Sequence, residues 1–168
     1  LKGLENHISI SIVHPLMLEN GWTFSDGPGV IKDSLFNSDY LYQVYLKADP
    51  NYSGRVTVPV LWDKQTNTIV NNESAEIMRM FNTAFNNITG NYDDYYPEHL
   101  QSEIDAMNDF VYPNINNGVY KVGFSTNQAV YEKEVTKLFA ALDKLEEQLA
   151  NQQFLVGNQL TEADIRLF

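Results

Sequence analysis

The hydrophobic pattern of this 168-residue chain changes in character after its first half, and that change limits the folds open to it. Up to about Val70, apolar residues alternate with polar ones or lie between turn residues, which is typical of strands, hairpins and loops. From Ser74 onward they recur every three or four residues, which indicates amphipathic helices. The pattern therefore predicts a mixed α/β region followed by an all-α region.

The first half is predicted to contain three elements. Residues 7–13 alternate isoleucine with serine, which predicts a strand with one buried face. Residues 39–47 predict a short helix. Residues 55–62 and 68–70 are rich in β-formers and are separated by turn residues, so they predict an antiparallel hairpin.

The second half is predicted to be helical throughout. One helix begins at Ser74 and keeps its apolar spacing as far as Ile88. Residues 86–96 are polar and contain a glycine, so we interpret them as a linker. Two further amphipathic helices are predicted over residues 100–111 and 135–149.

The last helix has the clearest start signal. Thr161 stands at the N-cap and Asp164 at the third helical position, which is a capping box with Asp in place of Glu. Leu160 and Ile165 are placed to form the accompanying hydrophobic staple. By itself, this signal predicts only the beginning of a helix.

Charge and composition exclude several classes of function. Eleven Lys and Arg residues oppose 22 Asp and Glu, and the net charge of −11 repels nucleic acid and anionic membrane surfaces. The chain has no cysteine, which excludes a disulfide framework, a thiolate metal site and a cysteine nucleophile within these residues. The three histidines have no ligand spacing, so no metal site is expected. The chain starts at Leu1 and ends within an apolar pattern at Phe168, which we interpret as an internal fragment.

Two neighbouring motifs suggest a peptide-binding site. Pro59 cannot donate to a strand ladder, so either the Val58-Pro59 bond is cis and presents Val58 as a free edge for an extended peptide, or Pro59 marks an edge strand or bulge. Glu73 and Ser74 open a helix one hairpin later. A helix N-terminus receives a carboxylate and Glu73 can receive an ammonium, so the pair suits an amino-acid head group; alternatively, it is an ordinary helix start.

These motifs resemble the second half of a thioredoxin-like glutathione-binding domain, and the Thr161–Asp164 cap resembles that of the helical domain of glutathione transferases. Longer stretches are similar to the glutathionyl-hydroquinone reductases, the omega-like branch of that superfamily. They are HPLMLENGWTF (residues 14–24), DPNYSGRVTVPVLWD (49–63), NESAEI (72–77), NNGVYK (116–121) and GNQLTEADIR (157–166).

The resemblance implies a fold and domain boundaries. The expected architecture is α/β plus all-α: a partial thioredoxin-like domain over residues 1–86, followed by a partial helical glutathione transferase C-terminal domain over residues 95–168. It also implies a cytoplasmic enzyme that is a homodimer as the full-length protein.

The resemblance implies a reaction as well. A cysteine thiolate attacks the sulfur of a glutathionyl-hydroquinone, releases the hydroquinone and is resolved by a second glutathione, with glutathione as co-substrate and no metal. The family's Cys-Pro-Trp-Ala motif is absent from these residues, so the fragment alone is expected to be inactive. The family's functional residues correspond to Tyr120 for catalysis and, for glutathione, to Trp22, Arg55, Val56, Thr57, Val58, Glu73 and Ser74.

The residues alone leave alternatives open for the roles of Trp22 and Tyr120 and for the function. Trp22 can clamp a peptide or cover the core, and Tyr120 can donate a proton or be structural. The function itself has two rivals: a general transferase that conjugates glutathione to electrophiles, and a non-catalytic glutathione-binding module.

Overall fold

A short helix and one β-hairpin organise the first half of the chain in the computed structural model, which describes residues 1–168. The chain divides into two units, residues 1–91 and 92–168. The elements of the first unit are helix α1 (Leu41–Ala48), strands β1 (Leu61–Asp63) and β2 (Thr68–Asn71), helix α2 (Ser74–Thr83) and the single turn α3 (Asn86–Thr89). The two strands pair antiparallel, so the predicted hairpin is confirmed, although β1 is shorter than predicted.

The core of the first unit lies against α1. Leu41, Val44 and Tyr45 of this helix are buried together with Phe24, and half-buried side chains of the hairpin and the preceding loops pack around them. The predicted helix is thus confirmed, and its apolar positions at three- and four-residue spacing are the ones that face the core.

The strand predicted over residues 7–13 is wrong. Ile12 makes only an isolated bridge with Ile31, in which the two residues exchange hydrogen bonds of 2.8 and 3.0 Å. Ile10 is 64 % exposed, so the alternating isoleucines have no apolar surface to cover. An alternating pattern forms a strand only where a neighbouring strand pairs along its length, and none does so here.

The helix predicted from Ser74 to Ile88 is interrupted. Helix α2 ends at Thr83, and Phe85 has a non-helical backbone (φ −107°, ψ 7°) before α3 begins. Gly90 ends α3 with φ 69°, a left-handed conformation that glycine adopts without a steric penalty. The linker predicted over residues 86–96 is therefore helical in its first four positions.

The second unit is helical, as predicted. After a 3-10 turn at Glu98–Leu100 come α4 (Gln101–Val111), a π-helical turn (Tyr112–Asn116), α5 (Asn117–Gly123), α6 (Gln128–Leu149) and α7 (Glu162–Leu167). The π-helical turn contains Pro113, whose missing N–H removes one helical hydrogen bond. The buried residues of these helices form one apolar cluster that includes Ile104, Val111, Leu138, Leu145 and Ala163.

The capping box at the start of α7 is confirmed. Asp164 Oδ2 accepts the backbone N–H of Thr161 at 2.9 Å and its hydroxyl at 3.0 Å. Asp164 Oδ1 additionally accepts the N–H of Leu155 at 2.7 Å. The carboxylate therefore satisfies backbone donors in two separate segments, and Thr161 itself is fully buried.

Candidate functional site

The loop that leads into β1 and the start of α2 are joined through one buried side chain. The hydroxyl of Tyr45 on α1 donates to the carbonyl of Thr57 at 2.8 Å and accepts the Thr57 N–H at 3.3 Å. The same hydroxyl accepts the side-chain amide of Asn72 at 3.1 Å, and this amide also donates to the Thr57 hydroxyl at 3.3 Å. The two motifs singled out in the sequence are therefore held next to each other.

Val58 presents an open backbone edge. Its side chain is 45 % exposed, and its N–H and C=O make no hydrogen bond within the chain. The Val58-Pro59 peptide bond is cis, which is the first of the two alternatives that the sequence left open. A free N–H and C=O on one residue are the groups that an extended peptide uses when it pairs with a backbone edge.

The start of α2 is also open. Glu73 is the N-cap residue, with an extended backbone and no side-chain capping hydrogen bond, while its N–H donates to Asn71 Oδ1 at 2.7 Å. The side chains of Glu73 and Ser74 are exposed and make no hydrogen bond within the chain. A carboxylate, a hydroxyl and the first N–H groups of a helix thus face solvent together, and this group can receive both charges of a zwitterion.

Trp22, Arg55 and Val56 also belong to the first unit. Trp22 and Val56 are half-buried against the same cluster around Tyr45, and the Trp22 carbonyl accepts the Leu41 N–H at 2.9 Å. Arg55 is exposed, and its carbonyl accepts the hydroxyl of Tyr52 at 2.6 Å. The packing of Trp22 agrees with a cover over the core, while its half-exposed face is still available to a ligand.

Tyr120 lies on α5 of the second unit, where it forms an aromatic pair with Phe124. The ring centroids are 6.2 Å apart and the planes differ by 5°; Tyr120 is 62 % exposed and Phe124 70 %. The pair lines an open pocket of about 460 Å³ together with Lys121, Val130 and Glu134. Such a pair offers flat apolar surface and one phenol hydroxyl to an aromatic ligand.

The two charged side chains that line this pocket, Lys121 and Glu134, each have a hydrogen-bond partner. Lys121 Nζ donates to the carbonyl of Pro113 at 3.2 Å. Glu134 accepts a hydrogen bond from Lys137 at 2.9 Å, which together with the charges of Lys137 and Lys121 holds the pKa of Glu134 below its usual range. The glutamate therefore stays ionised at neutral pH.

Sequence reasoning missed Tyr45, Asn72 and Phe124. Tyr45 occupies an apolar position of a short helix and reads as a core residue, which it also is. Asn72 stands beside Glu73, but only the fold shows that its amide reaches Thr57. Phe124 was detectable, because it follows Tyr120 by four residues within a helical pattern.

The structure gives no group of three or more His, Asp or Glu side chains arranged to hold a metal ion. No helix is both long enough and apolar enough to cross a membrane.

Two family models match the chain. The model described as glutathione S-transferase, N-terminal domain, matches residues 1–84, and that described as glutathione S-transferase, C-terminal domain, matches residues 128–168.

Individual relatives are similar over the whole chain. Glutathionyl-hydroquinone reductase YqjG of Escherichia coli is 60 % identical over 100 % of this chain and 52 % of its own length. Glutathionyl-hydroquinone reductase PcpF of Sphingobium chlorophenolicum is 55 % identical over 100 % of this chain and 54 % of its own length. The glutathione-bound structure of YqjG, a glutathione transferase homologue, superimposes with a TM-score of 0.93 at 60 % identity over 99 % of this chain and 54 % of that chain. The chain thus spans about half the length of the curated relatives that it matches.

Proposed function

The chain belongs to the glutathione S-transferase family, and from this premise we propose that it is the glutathione-binding part of a glutathionyl-hydroquinone reductase. The observation that carries the proposal is the junction at Tyr45, where an open backbone edge and an open helix start lie next to each other. An extended peptide with a zwitterionic end matches that arrangement, and glutathione is such a peptide. The similarity to two glutathionyl-hydroquinone reductases supports the choice of reaction.

The family also fixes the fold class. The first unit, with its hairpin and α1, belongs to the thioredoxin-like N-terminal domain, and the helices of the second unit belong to the glutathione transferase C-terminal domain. The fold class expected from the sequence is confirmed. We propose the domain limits as residues 1–86 and 95–168.

Glutathione is proposed to bind in the first unit. Its γ-glutamyl ammonium pairs with Glu73, and its α-carboxylate takes the Ser74 hydroxyl and the first N–H groups of α2. Its cysteinyl backbone pairs with the free N–H and C=O of Val58. Arg55, Val56 and Thr57 form the rest of this edge, and the exposed face of Trp22 covers the peptide.

The proposed reaction breaks a carbon–sulfur bond on an aromatic ring. A cysteine thiolate attacks the glutathionyl sulfur and forms a mixed disulfide, and the ring carbon leaves with the bonding electron pair and takes a proton. A second glutathione thiolate then attacks the mixed disulfide, giving glutathione disulfide and the free cysteine thiolate. These residues contain no cysteine, so the nucleophile is proposed to lie outside them.

Tyr120 is proposed to donate that proton or to hold the hydroquinone oxygen. The pocket beside it offers two near-parallel rings for a quinone-type ring and a phenol hydroxyl for its oxygen. No metal enters this scheme. We place the full-length protein in the cytoplasm, where glutathione is kept reduced, and propose that it is a homodimer.

The experiment supplies glutathionyl-hydroquinone together with glutathione, in one assay to the 168-residue chain and in a parallel assay to a longer protein that includes the cysteine. We expect the longer protein to release hydroquinone and glutathione disulfide in equal amounts, and the 168-residue chain to bind glutathione without turnover. Turnover by the 168-residue chain well above the buffer blank would overturn the cysteine mechanism. A longer protein that releases no hydroquinone would overturn the proposed function.

Mass spectrometry of the products separates the two rival functions. A general transferase forms a carbon–sulfur bond, so an electrophile added with glutathione would gain a glutathionyl group, either by addition or with loss of its leaving group. A binding module would leave both substrates unchanged. Only the proposed reductase breaks the carbon–sulfur bond and oxidises glutathione.

A further inference from the structure

We propose that Tyr45 is a positioning residue, whose hydroxyl fixes the separation between the Val58 edge and the start of α2. This inference rests on the proposed function, because it concerns how one ligand contacts both segments at once. Tyr45 itself is buried, 2 % exposed, and so acts through Thr57 and Asn72 and not by touching the ligand.

The hydrogen-bonding capacity of the Tyr45 hydroxyl is fully used by the two segments. A phenol has one hydrogen to donate and two lone pairs to accept with. The hydrogen goes to the Thr57 carbonyl, and the lone pairs take the Thr57 N–H and the Asn72 amide. Both backbone groups of the residue before Val58, and the side chain of the residue before Glu73, are thereby held by one atom.

The β1–β2 hairpin also connects the Val58 edge with the start of α2, but less directly than the Tyr45 hydroxyl does. The hairpin pairs Leu61 with Asn71 at the end opposite its turn. From this pair, the chain continues back to Val58 on one side and forward to Glu73 on the other. The register between these strands is irregular next to Leu61, and Val60 and Pro59 lie outside β1. Beyond this irregular end, the Tyr45 hydroxyl and the Asn72 amide supply the hydrogen bonds that join the two segments.

The ring and the hydroxyl of Tyr45 have separable roles. The ring packs against Tyr52, with centroids 4.9 Å apart, and is part of the buried cluster of the first unit. Tyr45→Phe keeps this packing and deletes only the hydroxyl. Without the hydroxyl, the distance between the two segments varies. A ligand that contacts both segments must then order them, which reduces its net binding free energy.

The experiment measures the glutathione Kd of the 168-residue chain by calorimetry, with thermal unfolding of each variant in parallel. We expect Tyr45→Phe to weaken glutathione binding about tenfold, the scale of one lost hydrogen bond. Asn72→Ala removes the amide but leaves Tyr45 bonded to Thr57, and should weaken binding similarly. Tyr42→Phe is the matched control, because Tyr42 lies on the same helix, is 40 % exposed and its hydroxyl makes no hydrogen bond within the chain.

A double-mutant cycle distinguishes positioning from simple destabilisation. In a Glu73→Ala background the ligand has lost its contact with the α2 start, so Tyr45→Phe should cost clearly less than tenfold. Equal losses in both backgrounds would overturn the inference, as would unchanged binding by folded Tyr45→Phe and Asn72→Ala. If the unsubstituted chain does not bind glutathione, the proposed function fails and the inference with it.

Discussion

The ring of Tyr120 on α5 and the ring of Phe124, the residue that follows this helix, lie within 5° of parallel. Neither ring is needed to complete the apolar cluster of the second unit, which is formed by other residues. Two large aromatic side chains that remain this exposed, beside an open pocket, are more consistent with contact to an aromatic ligand than with packing.

We therefore predict that Tyr120→Phe slows the reductive step. In the longer protein that includes the cysteine, kcat should fall about 10²–10⁴-fold, as expected when a general acid is lost. Glutathione affinity should stay unchanged, because its proposed contacts belong to the first unit. Stopped-flow measurement of hydroquinone release reads the step directly.

The matched control for this prediction is Tyr112→Phe, since Tyr112 is 51 % exposed and belongs to the neighbouring π-helical turn. It should keep normal turnover. If Tyr120→Phe lowers the melting temperature but leaves kcat normal, then Tyr120 is a structural residue.

A second prediction concerns the carboxylate at the start of α2. Glu73→Ala leaves the ammonium of glutathione without its partner, so affinity should fall by about 1.5–3 kcal/mol, the range for hydrogen bonds to charged groups. Calorimetry on the 168-residue chain measures the difference. Glu103→Ala is the control, because Glu103 is also an exposed acid close to the start of a helix, but in the other unit. Equal glutathione affinities for Glu73→Ala and the unsubstituted chain would show that Glu73 is only a helix-start residue and does not contact glutathione.

The third prediction compares the two members of the capping box. Thr161→Ala should lower the free energy of unfolding by about 0.5–2 kcal/mol, the usual cost of a lost N-cap. Asp164→Ala should cost more, because its carboxylate also holds the Leu155 N–H. Urea titrations followed by circular dichroism give both values. Ser102→Ala, on the exposed side of α4, is the control, and a larger loss for Thr161→Ala than for Asp164→Ala would contradict the expected order.

The fourth prediction is a pH dependence of stability that originates at Asp33. Burial raises the pKa of this carboxyl, but hydrogen bonds from the N–H groups of Leu35 and Ser38, the Ser38 hydroxyl and the Phe36 N–H outweigh it, so the pKa lies below its ordinary value of 3.8. A carboxyl with a depressed folded pKa stabilises the fold above its unfolded pKa, and this stabilisation is lost as the pH falls through the folded value.

The free energy of unfolding should therefore be measured for the unsubstituted chain and for Asp33→Asn from about pH 6 down to about pH 3. The variant should be less stable at the upper end, with the difference narrowing as the pH falls. Asp26→Asn is the control, because Asp26 forms only an exposed ion pair with Lys32, which contributes little. A difference for Asp33→Asn that does not change with pH would show that the effect is unrelated to ionisation.

The sequence predicted the elements whose signals are local. The α1 helix, the hairpin turn and the Thr161–Asp164 cap each depend on residues within a few positions of one another, and all three are present. The strand expected at residues 7–13 depends on a distant pairing partner, which periodicity cannot supply, and it is absent. The hydrogen bonds of Tyr45 could not be predicted for the same reason, because its partners Thr57 and Asn72 lie 12 and 27 residues away.

The two carboxylate oxygens of Asp164 couple the loop before α7 to the helix itself. One oxygen holds Leu155 and the other holds Thr161, so a single side chain closes the loop over residues 155–161 against the first turn of α7. The loop and the helix should consequently form and open together as one cooperative segment. Limited proteolysis would then cut this loop at the same rate at which α7 frays, and any group that stabilises α7 would protect a stretch of chain that it does not touch.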